Sequence, residues 1–344
     1  MKAIVWRGPE EMTVDDVPEP EAGAGSVVLT VGACGICGSE LEGYLGHMDN
    51  RVPPLVMGHE FAGTVTEAGD AAGEEWLGKV VTVNPIESCG QCALCRSGLD
   101  NACPNRTLIG IHHPGGFAER VRVPVANLRE LPEGTSARVG ALAEPFANGV
   151  HALRLGLSRG PGSDLVVMGA GTIGLMCLQA ALLHEEVEHI AVVERNDARR
   201  ALASALGAHA VFASAEEAGG DLGGRRDGLG ADLVVDAVGA GATRQGGIAL
   251  LRPGGTLVAV GLADDESPLR FHPLIRNQIA VQGSYAYAKR DFDQGLEWLV
   301  AGRASLGRLP DPLPLDEGPG AFAELVKGPT AQVKVFLAEP QAGA

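Results

Sequence analysis

Basic residues are in short supply in this 344-residue chain. Its 27 lysines and arginines stand against 43 aspartates and glutamates, a formal net charge of −16. That balance excludes the cationic face that nucleic-acid binding requires. Aromatic side chains are scarce too, eight Phe, three Trp and three Tyr, but a hydrophobic content of 45% leaves ample material for the core of two domains or one large one. No charged stretch leading into an apolar one opens the chain, which starts on the strand-like Met1-Lys2-Ala3-Ile4-Val5-Trp6. With its reactive-looking cysteines, this predicts a reducing cytoplasm. Internal repeats are absent, and one uncharged run could be mistaken for a membrane span. Residues 165–183 carry no charge and come close to the length of a membrane span. Their glycines, Gly169, Gly171 and Gly174, and their charged flanks point instead to a buried strand, a tight turn and a buried helix.

Four of the seven cysteines fall in one loop: Cys89, Cys92, Cys95 and Cys103. Two three-residue steps and one longer return let four thiolates close on one ion. Tetrahedral zinc takes such soft donors, and a site with four of them is closed to substrate. The loop therefore predicts structural zinc. Disulfides and an iron–sulfur cluster are the alternatives, the first disfavoured in a reducing compartment.

Up to about Val150 the chain reads as a mostly β domain, with β-like runs at 27–31, 63–67, 79–83 and 118–123 between glycines and prolines. From Asp164 apolar runs alternate with helical stretches: 165–168 then 172–183, 190–193 then 197–206, 233–236 then 242–250, and 256–260. Such alternation makes a parallel sheet with right-handed crossovers. Residues 219–230 read as a glycine-rich connecting loop, and 332–337 as a final strand that returns to the first domain. The expected domains are 1–150 with 285–344, and 151–284.

Gly169-Ala170-Gly171-Thr172-Ile173-Gly174 follows one of these strands and opens an apolar helix. The first glycine permits the turn, the second admits a pyrophosphate against the backbone, and the third lets helix and strand pack closely. Glu194, about twenty residues on, is where an acid binds the ribose hydroxyls of a dinucleotide. A carboxylate there repels a 2′-phosphate, so NAD is favoured over NADP. Arg195, beside the acid, can accept such a phosphate, and Arg199 and Arg200 lie on the following helix.

A second constellation is spread more widely: Cys37 in Gly-Ile-Cys-Gly-Ser-Glu, His59 and Glu60 in Gly-His-Glu, and Glu144 in Ala-Glu-Pro. One thiolate, one imidazole and one carboxylate, with water in the fourth position, make the open pattern of catalytic zinc. Cys34 and Cys177 read as small buried residues. Tyr44, Phe117 and Phe146 suit either a substrate pocket or ordinary core.

Together these motifs, with Gly-Gly-Phe-Ala-Glu at 115–119, resemble the zinc-dependent medium-chain dehydrogenases over essentially the whole length. The resemblance implies a GroES-like mostly-β catalytic domain interrupted by a Rossmann domain with a doubly wound parallel sheet. It implies two zinc ions per chain, NAD, and hydride transfer between a small alcohol and its ketone, without nucleic-acid or membrane partners. Cys37 and His59 become zinc ligands, and Ser39 the hydroxyl that takes the alcohol proton. Glutamate at 144, rather than cysteine, resembles the polyol and threonine dehydrogenase branch, in which either Glu60 or Glu144 completes the site, directly or through water. Relatives often carry a relay histidine where this chain has Glu42, which leaves Glu42, His47 or water as the proton exit. Lys334 matches a basic residue that pairs with the acid of the His-Glu motif. Dimers or tetramers are usual, formed by strand pairing, and the apolar edge at 279–281 is compatible with that. A zinc-free quinone or enoyl reductase, and a non-enzymatic nucleotide-binding protein, are the rival readings, both opposed by an intact zinc constellation.

Overall fold

A computed structural model describes residues 1–160, 162–328 and 330–340. The last four residues of the 285–344 segment, and Pro161 and Pro329, fall outside the described residues. The chain forms two compact units: Met1–Glu144 with Arg308–Thr330 and Lys334–Ala344, and Pro145–Gly307 with Ala331–Val333.

The first unit is built on a six-stranded antiparallel sheet. Its central pair is Ser26–Gly35 and Glu60–Ala68, flanked by Val80–Val83 and Leu128–Glu130 on one side and by Arg120–Pro124 and Phe336–Leu337 on the other. The β-branched and aliphatic run in Ser26–Gly35 is almost wholly buried, as expected of a central strand. Gly63 allows close approach of the two central strands, since a Cβ there would lie 2.1 Å from the Thr30 carbonyl oxygen. The register places Gly35 opposite both Glu60 and Phe336, so three chain segments separated in sequence converge at one end of the sheet. Ile4, Leu29, Phe61, Phe117, Phe322 and Leu337 belong to the core beneath it.

The second unit is a six-stranded parallel sheet in the order Ala210–Phe212, His189–Val193, Asp164–Met168, Ala231–Asp236, Leu251–Ala259, Ala280–Gly283. In sequence order this is 3-2-1-4-5-6, the doubly wound arrangement whose direction reverses beside its first strand, where dinucleotides bind. The uncharged 165–183 run resolves into the Asp164–Met168 strand and the Thr172–Ala181 helix, and among the described residues no helix is long and apolar enough to cross a membrane.

Three local expectations need correction. Residues 219–223 of the 219–230 connector are helix: Ala215–Gly223 is capped by Ser214, whose side chain accepts from the Glu217 N–H, while the Glu217 carboxylate accepts from the Ala213 N–H. Of the 332–337 strand, only Phe336–Leu337 pairs. The chain leaves the second unit after Gly307 rather than near 285. The Lys289–Val300 helix is held within that unit by Asp291, which bonds His151 Nδ1 at 2.7 Å and Arg154 Nε at 2.7 Å.

Candidate metal centre and dinucleotide site

The convergence at Gly35 builds an open cluster. Cys37 leaves the sheet two residues after Gly35 and caps the short Gly38–Tyr44 helix, while Glu60 begins the neighbouring strand and His59 immediately precedes it. One ligand atom each of Cys37, His59 and Glu60 lie within 4.8 Å of one another. Glu144, expected beside them, is buried but is not among the side chains of this group.

What orients the cluster is a residue the sequence reading passed over. Glu40 is fully buried and accepts from His59 Nδ1 at 2.7 Å, from the backbone N–H groups of Gly58 (2.9 Å) and His59 (3.1 Å), and from Cys37 N–H (3.0 Å). With Nδ1 directed at Glu40, Nε2 is the ring nitrogen left for a metal, the usual division of labour for a ligating histidine. Its position three residues after Cys37 was the available signal, because an acid at that place closes a helix N-terminus back onto its cap. Burial alone would raise Glu40, but His59, Cys37 N–H and Arg51 outweigh it and hold the carboxyl below its usual range. Burial likewise opposes charge on His59, yet Glu40 and Cys37 raise it well above the usual imidazole value. The cluster therefore calls for positive charge at its centre, and a soft thiolate with an imidazole and a carboxylate fits zinc.

Lys334 is the fourth charged group. It is 3% exposed, bonds Glu60 Oε2, and donates to the Ile36 carbonyl at 3.0 Å. Burial disfavours its ammonium, but Glu60 and Cys37 more than compensate and its pKa is raised. Ser39 Oγ lies 3.5 Å from Cys37 Sγ. Glu42, one turn further along the helix, bonds His47 Nδ1 at 2.8 Å, so two residues weighed as separate proton exits form one half-exposed pair. Tyr44 and Phe117 both pack against Phe322 in the core, and Phe146 against Trp298 in the second unit. A groove of about 1040 Å³ elsewhere in the first unit is lined by residues such as Val17, His112 and Arg122 and by none of the cluster side chains. Size alone does not outweigh convergent ligands.

The four-cysteine loop closes as a separate cluster. Sulfur–sulfur separations are 3.4 Å for Cys92–Cys95, 3.5 Å for Cys89–Cys103, and 3.9 Å for both Cys89–Cys95 and Cys92–Cys103. A tetrahedron with Zn–S of about 2.3 Å has sulfurs about 3.8 Å apart, whereas a disulfide requires about 2.05 Å. The cysteines are free thiols that fit one zinc ion. N–H groups of Gln91 and Cys92 pull Cys89 down to about 6, while burial, with the neighbouring thiols, pushes Cys95 up to about 12. Four thiolates this close need a cation to share their charge.

In the second unit, the glycine turn has the form a pyrophosphate needs. Gly169 has φ +93° and sits against Val238, and a Cβ on Gly174 would lie 1.9 Å from the Gly169 carbonyl oxygen. Gly171 caps the helix with open space about it, the nearest atom to an added Cβ being Arg199 Nη1 at 3.8 Å. Thr172 begins the helix and donates to the Val333 carbonyl; Ile173 is half-buried. Glu194 accepts from Ala170 N–H at 2.9 Å and Asn196 N–H at 2.8 Å, which brings the acid to the turn. Arg195 is exposed, while Arg199 is half-buried and burial lowers its pKa against the pull of Glu194.

Comparison with known proteins agrees with this geometry. Residues 23–133 match the alcohol dehydrogenase GroES-like domain, and 172–301 the zinc-binding dehydrogenase domain. Sorbitol dehydrogenase of Halalkalibacterium halodurans is 34% identical over 307 residues, 87% of this chain and 88% of that protein. An alcohol dehydrogenase of Escherichia coli CFT073, solved with NADH, superposes with a TM-score of 0.89 at 27% identity, covering 98% of this chain and 99% of that one. A zinc-binding dehydrogenase of Sinorhizobium meliloti 1021, solved with NADP, gives 0.87 at 30% identity and 98% coverage of both. The chain belongs to the zinc-dependent medium-chain alcohol dehydrogenases, with a GroES-like domain and a Rossmann domain. More particularly, it is an NAD(P)-dependent dehydrogenase of the sorbitol and threonine dehydrogenase-like branch.

Proposed function

We infer that the protein is an NAD-preferring dehydrogenase of secondary alcohols, drawn from polyols, sugar derivatives or amino alcohols, with a catalytic and a structural zinc ion. The observation that carries this reading is the Cys37, His59 and Glu60 cluster with its imidazole held by Glu40. Cys37 and His59 hold the catalytic metal, with Glu60 or Glu144 completing it. Cys89, Cys92, Cys95 and Cys103 hold the structural one. Bound zinc supplies Lewis acidity to the substrate oxygen, and bound NAD accepts the hydride.

The chain's own groups handle charge and protons. Glu40 keeps the His59 ring in one tautomer. Lys334 neutralises Glu60 whenever that carboxylate is not needed by the metal. Ser39 accepts the alcohol proton, and the Glu42–His47 pair passes it to solvent. Glu194, at the glycine turn, bonds the adenosine ribose and disfavours a 2′-phosphate. One structural neighbour was solved with NADP, and Arg195 and Arg199 are the groups that would favour that cofactor here. The exposed edge strand Ala280–Gly283, with Val281 and the nearby Phe271 and Ile275 open to solvent, suits pairing with a second copy in a dimer or tetramer. A cytoplasmic setting suits the free thiols.

The test is a screen of polyols, phosphorylated sugars, cyclitols and amino alcohols for NAD reduction by zinc-loaded protein. Turnover of at least one class, lost on chelation, is expected. Chelator-insensitive reduction of quinones or enoyl compounds would overturn the reading.

A further inference from the structure

The chain makes its last passage from the second unit to the first at one peptide bond, Val333–Lys334. Each side of that bond is held by a contact within its own unit. The Val333 carbonyl accepts from the hydroxyl of Thr172, the first residue of the helix that follows the glycine turn. The Lys334 ammonium bonds Glu60 Oε2 in the open cluster and donates to the Ile36 carbonyl at 3.0 Å. One residue further on, the Val335 carbonyl accepts from the Ile36 N–H at 2.9 Å. A peptide unit is planar, so a turn of the Val333 carbonyl carries the nitrogen and Cα of Lys334 with it. With Val335 anchored, Lys334 takes up that rotation. Thr172 is also where a pyrophosphate accepts hydrogen bonds, at a helix N-terminus beside Gly171 and the open space around it. A hydroxyl has one hydrogen to donate. Thr172 therefore serves the Val333 carbonyl or a phosphate oxygen, not both.

We propose that Thr172 is a positioning residue that links dinucleotide binding to the metal cluster through Val333 and Lys334. While Thr172 donates to Val333, Lys334 stays on Glu60 and competes with the metal for that carboxylate. When a pyrophosphate takes the Thr172 hydrogen, the Val333 carbonyl loses its donor, the 333–334 peptide turns, and Lys334 releases Glu60 to the metal. The two arrangements differ in hydrogen bonds at both sites, which is the differential interaction that a shift in population requires. Linkage makes the effect reciprocal: zinc that engages Glu60 frees Lys334 and so favours the pyrophosphate by the same factor.

This inference rests on the dehydrogenase reading of both sites, and its test separates the two. The probes are ADP-ribose, which carries the pyrophosphate without the nicotinamide, and AMP, which lacks the second phosphate. Each is titrated calorimetrically into protein holding both zinc ions, and into protein chelated until only the four-cysteine loop keeps its ion. Wild type should bind ADP-ribose about 5- to 150-fold more tightly with the open cluster loaded, the usual range of coupling between two sites. AMP should show little difference between the two forms. In Thr172→Val the ADP-ribose ratio should fall to near one, and in Thr172→Ser, which keeps the hydroxyl, it should stay close to wild type. A merely structural role for the threonine would weaken binding equally in both forms and leave the ratio unchanged. A ratio near one in wild type, a wild-type ratio in Thr172→Val, its loss in Thr172→Ser, or an equal ratio with AMP would refute the coupling while leaving the dehydrogenase intact. If neither ADP-ribose nor NAD binds in either form, the dinucleotide reading fails and the inference falls with it.

Discussion

Lys334→Met tests how the open cluster balances its charges. The substitution keeps much of the side-chain volume and removes the ammonium that bonds Glu60 Oε2 and the Ile36 carbonyl. Glu60 is 1% exposed, so in metal-free protein its carboxylate is left charged without that partner, or must take up a proton. Removing one member of a buried pair costs about 3–5 kcal/mol. At about 2–4 °C per kcal/mol for a unit of this size, the melting transition of the first unit should fall by roughly 6–20 °C. Zinc changes the sum, because a divalent cation beside Glu60 replaces the lost ammonium. Calorimetric melting of wild type and variant, each stripped and zinc-loaded, should therefore show a large fall in the stripped pair and a much smaller one in the loaded pair. An unchanged transition in stripped Lys334→Met would refute the charge account. An equal fall in both forms would mean that Glu60 does not serve the metal.

Three further outcomes follow from the same geometry. Glu194→Ala should weaken NAD and narrow or reverse the gap to NADP, because the acid at the glycine turn is lost; a wild type that already prefers NADP widely would contradict the cofactor assignment. Ser39→Ala should keep zinc and NAD binding but lower turnover by about 10²–10⁴-fold, the usual worth of a positioned proton acceptor, and undiminished turnover would remove that role. Zinc affinity at the open site should fall as pH is lowered, since Glu40 and Cys37 raise His59 well above 6.5 and zinc must displace that proton. The same raised value stabilises stripped protein most below about 6.5, and that contribution is lost as pH rises through the folded value. Competition titrations with proton-release calorimetry check the sign, and a pH-independent affinity would contradict it.

Local signals carried much of this molecule. The strand, glycine turn and helix at 164–181 were legible because each element has its own periodicity and the glycines are needed where a Cβ would collide. The four-cysteine loop was legible because its ligands are near neighbours in sequence. What escaped depends on distant partners or on composition that hides a cap. Asp291 ties its helix to His151 across 140 residues, so the return to the first unit came later than expected. The Ser214-to-Glu217 cap was overlooked beneath the glycines of 219–230. In the open cluster, Cys37 and His59 were recognisable residue types, but the approach of Glu60 to them depends on strand register, which puts Glu60 opposite Gly35. Glu40 was hidden for a different reason: charged residues are seldom fully buried unless paired, and only the fold reveals its pairing with His59.

Metal content measured beside NAD-dependent alcohol oxidation, as a chelator removes zinc stepwise, tests the central claim most directly. Two zinc ions per chain are expected, one in the open cluster and one in the four-cysteine loop. The first ion lost should carry all the activity with it, and Cys37→Ala should hold only the other. A fully active preparation with a single zinc ion per chain, or a Cys37→Ala protein that keeps both zinc and turnover, would contradict the account.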